Sequence, residues 1–307
     1  KEFPAVAVIV AETDTVTIYD GDDPDMPMWM VFNQATGNPL YSEVTSVSAL
    51  NGHIVVGQNT GNGGLTEIKF INDYAYLRIT DTNEYNGEII ADRNDGGGVT
   101  ISGTVPNAIV NRIVNDVAMT VLPNAPLDAA TGLPAVTVAV ATDGGVSVIK
   151  DDGTVVDITQ STIYNTVREI DFTYNNKIIY TMDNADSRSA RVDSIPSSDF
   201  VVTSNQLQQG SGEEFYNGAD FGYFVGDLSL NLPTGNSITK VVGSNLNDRE
   251  IATTNGMTKI ALANQSDPST GMVAYATSDY NTGWMNGDIK LATLSDTDDT
   301  NVTGAEL

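Results

Sequence analysis

Residues 4–11 read Pro-Ala-Val-Ala-Val-Ile-Val-Ala, and residues 134–141 repeat them closely as Pro-Ala-Val-Thr-Val-Ala-Val-Ala. Each copy is followed by an Asp-containing turn and a second β-branched run, at residues 16–19 and 146–149. Residues 51–57 resemble residues 175–181 in the same way, about 124 positions later. Alternating β-branched residues bounded by Gly, Asn and Asp predict antiparallel strands. The chain is therefore expected to repeat one β-sheet unit.

The spacing of the apolar runs suggests how large that unit is. The clearest strand-like runs are residues 5–10, 16–19, 53–56, 136–141, 146–150 and 177–181. The most apolar runs centre near Val8, Val55, Thr100, Val138, Ile179, Phe224 and Ala274. Their mean step of about 44 residues matches one four-stranded propeller blade. We predict an all-β fold, a β-propeller of about seven four-stranded blades over residues 1–295, with six blades or a β-sandwich as alternatives.

Composition excludes several classes of function. The chain has 307 residues, 40 acidic against 14 basic side chains, and a formal net charge of -26. Such a charge argues against binding nucleic acid, which requires clustered Lys and Arg, and against docking on an anionic membrane. The absence of Cys excludes disulfides and thiolate chemistry, and a single His makes a Ser-His-Asp triad improbable. The acidic side chains are mostly Asp, which favours turns, so loops are expected to carry the negative charge.

One loop near the start of the chain is a candidate calcium site. Asp20, Asp22, Asp23 and Asp25 lie within six consecutive residues, and residues 296–301 form a similar acidic run. Calcium takes six to eight oxygen ligands, of which alternate Asp residues in a turn can supply three or four. Neither loop has the Gly and distal Glu of an EF-hand. The alternative interpretation is a solvated acidic turn, and calcium is the one cofactor that the sequence suggests.

Four aromatic residues are candidate ligand contacts. Trp29, beside the acidic loop, would stack on a sugar ring, or else fill a blade strand together with the neighbouring Met residues. Tyr85 presents the same two alternatives. Tyr280 and Trp284 belong to residues 277–284, Thr-Ser-Asp-Tyr-Asn-Thr-Gly-Trp, which resemble the structural Asp-box of sialidase-like propellers.

No residue is identified as catalytic from the sequence. His53 lies inside a predicted strand and is interpreted as a hydrogen-bonded strand residue rather than a ligand or base. With 40 acidic residues, no carboxylate pair is preferred for glycoside cleavage. Arg188 and Arg191 would together grip an acidic sugar, although ion pairing with nearby Asp residues is the alternative.

A set of segments carries a resemblance to known proteins: residues 111–126, 129–134 and 139–153, with shorter matches at 27–32, 91–94, 287–290 and 294–300. These segments resemble a family of proteins that are encoded by marine phages and found in ocean metagenomes. In that family such a region precedes a laminin-G or concanavalin-like lectin module. The resemblance implies a virion-associated, extracellular tail or fibre protein and supplies no catalytic residues. A start at Lys1 without Met, and a polar end at residues 296–307, are expected of a processed piece with a connector to a further module.

These observations leave three hypotheses. The first is a non-catalytic virion adhesion module that presents loops to a host cell-surface glycan or protein. The second is a polysaccharide depolymerase that uses paired carboxylates. The third is a passive spacer that contacts other virion proteins or further copies of itself. None of the three involves nucleic acid or membrane insertion.

Overall fold

The structure is a computed structural model, and it divides the chain into two compact units, Lys1–Ile158 and Thr159–Leu307. The described residues are 3–59, 63–79, 84–86, 90–95, 100–102, 108–129, 131–160, 166–173, 176–184, 187–202, 214–217, 222–223, 229–230, 238–242, 248–253, 256–261, 272–277, 289–294 and 302–303.

Over its described residues, the first unit has antiparallel strands in three sheets and a 3-10 turn at Ile90–Asp92. Its strands are β1 (Ala7–Ala11), β2 (Thr15–Asp20), β3 (Met28–Asn33), β4 (Val44–Leu50), β5 (His53–Gln58), β6 (Leu65–Lys69), β7 (Tyr74–Arg78), β8 (Glu84–Asn86), β9 (Thr100–Ser102), β10 (Val114–Thr120), β11 (Thr137–Thr142), β12 (Gly145–Ile149) and β13 (Val155–Gln160). The strands pair in chain order, as β1 to β3, β4 to β9 and β10 to β13.

The second unit is built in the same way. Its strands are β14 (Ile170–Phe172), β15 (Lys177–Asn184), β16 (Ser187–Ser194), β17 (Phe200–Val202), β18 (Glu214–Asn217), β19 (Gly222–Tyr223), β20 (Ser229–Leu230), β21 (Ile238–Val242), β22 (Asp248–Thr253), β23 (Gly256–Ala261), β24 (Met272–Thr277), β25 (Ile289–Leu294) and β26 (Val302–Thr303). Three of its sheets run β14-β15-β16-β18, β19-β20 and β21 to β26 in order.

Sheets of consecutive antiparallel strands are the building blocks of a β-propeller, so the predicted all-β class of propeller type is confirmed. The strands expected from the sequence at residues 5–10, 16–19, 53–56, 136–141, 146–150 and 177–181 correspond to β1, β2, β5, β11, β12 and β15. None of the described residues belongs to a helix long and apolar enough to cross a bilayer.

A tight turn sets the register of β4 and β5. Asn51 and Gly52 both have positive φ, 51° and 69°, and Leu50 pairs with His53 across the turn. Two central residues with positive φ define the type I′ hairpin, for which Asn-Gly is the preferred sequence. In the related segment of the second unit, Asn176 also has a positive φ of 61° and immediately precedes β15. The two similar segments therefore share an Asn with positive φ shortly before the second strand of a sheet.

Both faces of β5 are buried, which explains the apolar run of Ile54, Val55 and Val56 at its centre. Ile54 and Val56 point to one side, where they pack in a cluster that includes residues of β2 and β3. Val55 points to the other side and packs in a cluster with Val114 of β10 and Val138 of β11. Successive side chains of a strand alternate between faces, so a strand whose sheet is covered on both sides buries residues on both faces.

The described sheets differ in their number of strands, whereas the sequence predicted four strands in every blade. Val55 and Thr100 were expected to mark separate blades, yet β5 and β9 belong to one six-stranded sheet. The apolar spacing misplaces Thr100 because β8 and β9 extend an existing sheet instead of beginning another. Phe224, used for another expected blade, lies outside the described residues.

Candidate functional site

A cavity of about 320 Å³ lies in the first unit between the sheet β4–β9 and the sheet β10–β13. The first sheet contributes a charged wall, and the second contributes an apolar wall. The charged wall comprises His53, Glu67, Lys69 and Arg78. The apolar wall comprises Val136, Val138 and Ile149. Ile71, Asp128, Leu133, Lys150 and Asp151 also line the cavity.

Strand alternation and register bring the four charged-wall residues together. On β6, Glu67 and Lys69 share a face with Leu65, whereas Ile68 faces the opposite core. Lys69 pairs with His53 on β5, and Leu65 pairs with Arg78 on β7. Because residues on one face of paired strands are neighbours, the Glu67 carboxylate lies between the side chains of His53 on β5, Lys69 on β6 and Arg78 on β7.

The Glu67 carboxylate is shared by three partners and is only 1% exposed. One oxygen, Oε1, accepts a hydrogen bond from Nε of Arg78. The other, Oε2, lies 3.3 Å from Nζ of Lys69 and 3.1 Å from Nε2 of His53. The His53 contact is at ion-pair distance, but Nε2 has no well-aligned hydrogen bond among the described residues. We therefore treat this contact as electrostatic.

The surroundings of Glu67 keep it ionised. Burial by itself raises the pKa of this carboxyl group, since it disfavours the charged form. The His53 contact and the charges of Arg78 and Lys69 outweigh burial and hold the pKa well below its usual value. Glu67 is thus a fixed negative charge at neutral pH and a poor proton donor.

The charge balance of this wall is unusual for the chain. Two permanent cations, Arg78 and Lys69, surround a single carboxylate, so the wall has a net positive charge in a protein of formal net charge -26. Lys69 keeps 34% of its side chain exposed, whereas Arg78 is largely buried. Lys69 is therefore the cation of this group that can reach a molecule in the cavity.

In the predicted calcium loop, Asp carboxylates accept hydrogen bonds from nearby backbone N–H groups. Asp22 accepts the N–H groups of Ala5 and Val6 at 2.7 and 3.1 Å. Asp20 accepts the N–H of Asp22, and Asp23 accepts the N–H of Asp25. Within the part of the chain that the structure describes, no group of three or more His, Asp or Glu side chains is arranged to hold a metal. These hydrogen bonds are those of an acidic turn, and the calcium site stays a prediction.

Trp29 lies in an aromatic cluster. Its ring centroid is 5.2 Å from that of Phe3 and 5.6 Å from that of Phe70, both in edge-on geometry. Half-buried, it also packs against the core shared by β2, β3 and β5. These contacts correspond to the interpretation of Trp29 as a strand residue, and it does not line the cavity.

The remaining sequence candidates are only partly placed. Tyr85 is on β8, opposite Leu77 and Ile101, but its side chain lies outside the described residues. Tyr280 and Trp284 lie outside them altogether, as do residues 296–301 and the Arg188 side chain.

Arg191 forms an ion pair with a nearby Asp, as in the alternative interpretation of the sequence. Its Nε and Nη2 donate to the two carboxylate oxygens of Asp193 at 2.9 and 3.0 Å. The Tyr180 hydroxyl donates to the same carboxylate at 2.7 Å. Burial and the adjacent Asp193 charge raise the pKa of Tyr180 well above its usual value. This cluster stabilises β15 against β16.

Sequence reasoning missed Glu67, Lys69 and Arg78. Glu67 was hidden by the abundance of acidic residues, since 40 carboxylates offer no basis for choosing one. One signal was available: Leu65-Thr-Glu-Ile-Lys69 places a carboxylate and an ammonium on the same face of a strand as a buried Leu. Charges on a core-facing strand position are rarely tolerated without partners.

The fold and the cavity define an all-β protein of propeller type with a buried charge network between two of its sheets. No protein-family model and no curated protein matches the chain.

Solved structures with similar folds are distant. Kluyveromyces marxianus Hsv2 aligns with a TM-score of 0.44 and 8% identity, over 85% of this chain and 64% of that one. The Dos1 propeller aligns with 0.38 and 8%, over 89% and 53%. Virginiamycin B lyase from Staphylococcus aureus aligns with 0.37 and 11%, over 88% and 83%. The chain spans less than two thirds of the Hsv2 and Dos1 chains, and at these TM-scores we draw no functional conclusion.

Proposed function

We propose that the chain is a non-catalytic adhesion module of a virion, which binds a host-surface glycan through the cavity between β5–β7 and β11–β12. The family resemblance of residues 111–126 and 139–153 supports the virion location. The cavity supports binding, since it combines an apolar wall with a few polar groups, the usual character of a small-ligand site.

The ionised state of Glu67 argues against this residue as the proton donor of a glycosidase. A glycosidase acid must hold a proton near neutral pH, which requires a raised pKa. The pKa of Glu67 is instead lowered, because its carboxylate is surrounded by Arg78, Lys69 and His53. A carboxylate held in this way orients its cationic partners and does not deliver protons. The observation that carries the proposal is the cavity itself, in which an apolar wall faces a small group of polar side chains.

A substitution that fills the cavity should abolish binding of the glycan. Val136 is half-buried on the apolar wall, so Val136→Phe places a ring in the space that a sugar would occupy. Val10→Phe is the matched control, because Val10 is 40% exposed on β1 and does not line the cavity. Binding of both variants and the unsubstituted chain to polysaccharide from marine bacterial surfaces would be measured by biolayer interferometry.

The proposal predicts that Val136→Phe loses binding while Val10→Phe retains it. Equal binding by all three proteins would place the contact elsewhere, and absence of binding by the unsubstituted chain would contradict adhesion. Release of reducing ends from the polysaccharide in the same samples would instead establish a depolymerase.

A further inference from the structure

The first sheet of the chain is one strand short of a propeller blade. Blades are typically four-stranded, whereas β1, β2 and β3 form a three-stranded sheet among the described residues. β3 is therefore an edge strand on the side that faces away from β2. The N–H and C=O groups of an edge strand can pair with a strand of another chain, and folded proteins usually cover such edges.

Two side chains from the turn at residues 90–95 cover the edge of β3. The Val31 carbonyl accepts hydrogen bonds from Nε of Arg93 at 2.7 Å and from Nδ2 of Asn94 at 3.0 Å. The backbone N–H of Asn33 donates to Oδ1 of Asn94 at 2.8 Å. These backbone groups bond to the turn instead of β2, so they belong to the outer edge of the sheet.

The Asn94 amide takes the place of one residue of a neighbouring strand. In a parallel pair of strands, a residue donates its N–H to one residue of the adjacent strand and accepts the N–H of the residue two positions further along. The Asn94 side chain makes both bonds, to Val31 and from Asn33. The cap thus occupies backbone groups that an added strand would need.

Packing holds the turn against the first sheet. Ile90 is 3% exposed and belongs to the core cluster that contains Phe32 of β3. The Arg93 guanidinium lies 5.6 Å from the centroid of the Phe32 ring, and its Nη1 donates to the Ile90 carbonyl at 3.1 Å. The turn lies between β8 and β9, the two strands that extend the second sheet to six. This extension therefore supplies the cover that a fourth strand would give to the first sheet.

The sequence of β3 is suited to pairing with a second copy of itself. Met-Trp-Met-Val-Phe-Asn has no charged side chain, so two copies of β3 would meet without adding to the repulsion between chains of net charge -26. Antiparallel pairing centred on Val31 sets Trp29 of each copy opposite Asn33 of the other. A two-fold axis then repeats every contact on both chains.

We propose that Asn94 and Arg93 form a cap that prevents β3 of one chain from pairing with β3 of a second copy. The outer edge of β3 is thus a latent interface between copies of this chain, closed by the turn at residues 90–95.

The substitution Asn94→Ala opens the cap, and sedimentation equilibrium of the whole chain measures the result. The mass of this variant should rise with concentration toward about twice that of the unsubstituted chain. Asn111→Ala is the matched control, because Asn111 is also half-buried and accepts a backbone N–H, from Ile113, in the loop before β10. This control should leave the mass unchanged.

A second substitution tests whether the association uses β3. The N–H and C=O of one strand residue point to the same side, so the Val31 N–H faces outward like its carbonyl. Val31→Pro removes that N–H without removing a bond to β2, which an edge strand tolerates. The double variant Asn94→Ala, Val31→Pro should keep the mass of the unsubstituted chain.

Hydrogen exchange at Asn33 distinguishes the cap from a merely structural contact. In Asn94→Ala the Asn33 N–H loses its acceptor, so it should exchange severalfold faster at low concentration and regain protection at high concentration, where a second copy supplies a carbonyl. Faster exchange at every concentration would show a structural role alone. That result, an unchanged mass of Asn94→Ala, or association that the double variant retains would each overturn the proposal.

Discussion

Replacing one oxygen of the Glu67 carboxylate by an amide nitrogen should greatly reduce the free energy of unfolding. Glu67→Gln keeps the volume of the side chain but removes the charge that faces Arg78, Lys69 and His53. Removing one member of a buried ion pair leaves the other uncompensated, and we expect a loss of about 3 kcal/mol in the free energy of unfolding. Urea denaturation followed by circular dichroism measures it.

The exposed Glu43 supplies the control for this substitution. Glu43→Gln makes the same chemical change on the surface and should alter the free energy of unfolding by less than about 0.5 kcal/mol. Equal effects of the two substitutions would show that the Glu67 network contributes no more than surface charge.

The lowered pKa of Glu67 also predicts a pH dependence. A group whose pKa is lower in the folded state stabilises the fold above its unfolded value, near 4.5, and this contribution is lost as pH falls below it. The difference in unfolding free energy between the unsubstituted chain and Glu67→Gln should thus shrink from about pH 5 to about pH 3. Denaturation curves at each pH test this, and a difference that grows on acidification would contradict the assignment.

At this scale the sequence allowed only part of the site to be predicted. It placed His53 in a strand, which the structure confirms, although Nε2 lacks the expected hydrogen bond among the described residues. The role of Asp22 as a calcium ligand stays a prediction. The sequence did not identify Glu67 or Arg78, because their association depends on the register of three strands. Register is set by turns such as Asn51-Gly52 and cannot be derived from the charges themselves.

At the scale of the strand, substitutions in β5 test whether its sheet is buried on both faces. Val55 and Val56 are both 0% exposed and point to opposite faces. Val→Thr preserves shape and buries a hydroxyl, at a cost of about 1 to 3 kcal/mol. We expect Val55→Thr and Val56→Thr each to destabilise the chain by about that amount. A sheet with one solvent face would tolerate one of them.

Val10 on β1 is the comparison for these two variants. It is 40% exposed, so Val10→Thr should change the free energy of unfolding by less than about 0.5 kcal/mol. Thermal and urea unfolding of the three variants would be compared side by side. Tolerance of either β5 variant would contradict the packing described for that sheet.

Strands were the most predictable elements, for a physical reason. The runs that became β5, β11 and β12 are rich in Val, Ile and Ala and are buried at every position, because both faces of their sheets are covered. Sheet membership was harder to predict. β9 is short and near Gly-rich sequence, and it joins β8 through backbone pairing that leaves no apolar signature.

At the scale of the whole molecule, the charge of -26 sets the response to salt. Like charges repel one another in the compact state, and ions screen that repulsion within a Debye length of about 10 Å at 0.1 M. We expect the melting temperature to rise by several degrees between about 0.05 M and 0.5 M NaCl, as measured by differential scanning calorimetry. A falling melting temperature would show that attractive ion pairs such as Glu67–Arg78 outweigh the net repulsion.

Adding calcium distinguishes two effects on the melting temperature. One is general charge screening, and the other is specific calcium binding at the loop of Asp20, Asp22, Asp23 and Asp25. Screening depends on ionic strength and valence, so CaCl2 and MgCl2 at equal concentration should raise the melting temperature equally. The structure favours this result, because Asp22 and Asp23 already accept backbone N–H groups. A larger rise with calcium would indicate a specific site, since a ligand that binds only the folded chain stabilises it by mass action. Asp23→Asn would then locate it: loss of the extra rise assigns the ion to this loop, and its persistence assigns the ion elsewhere.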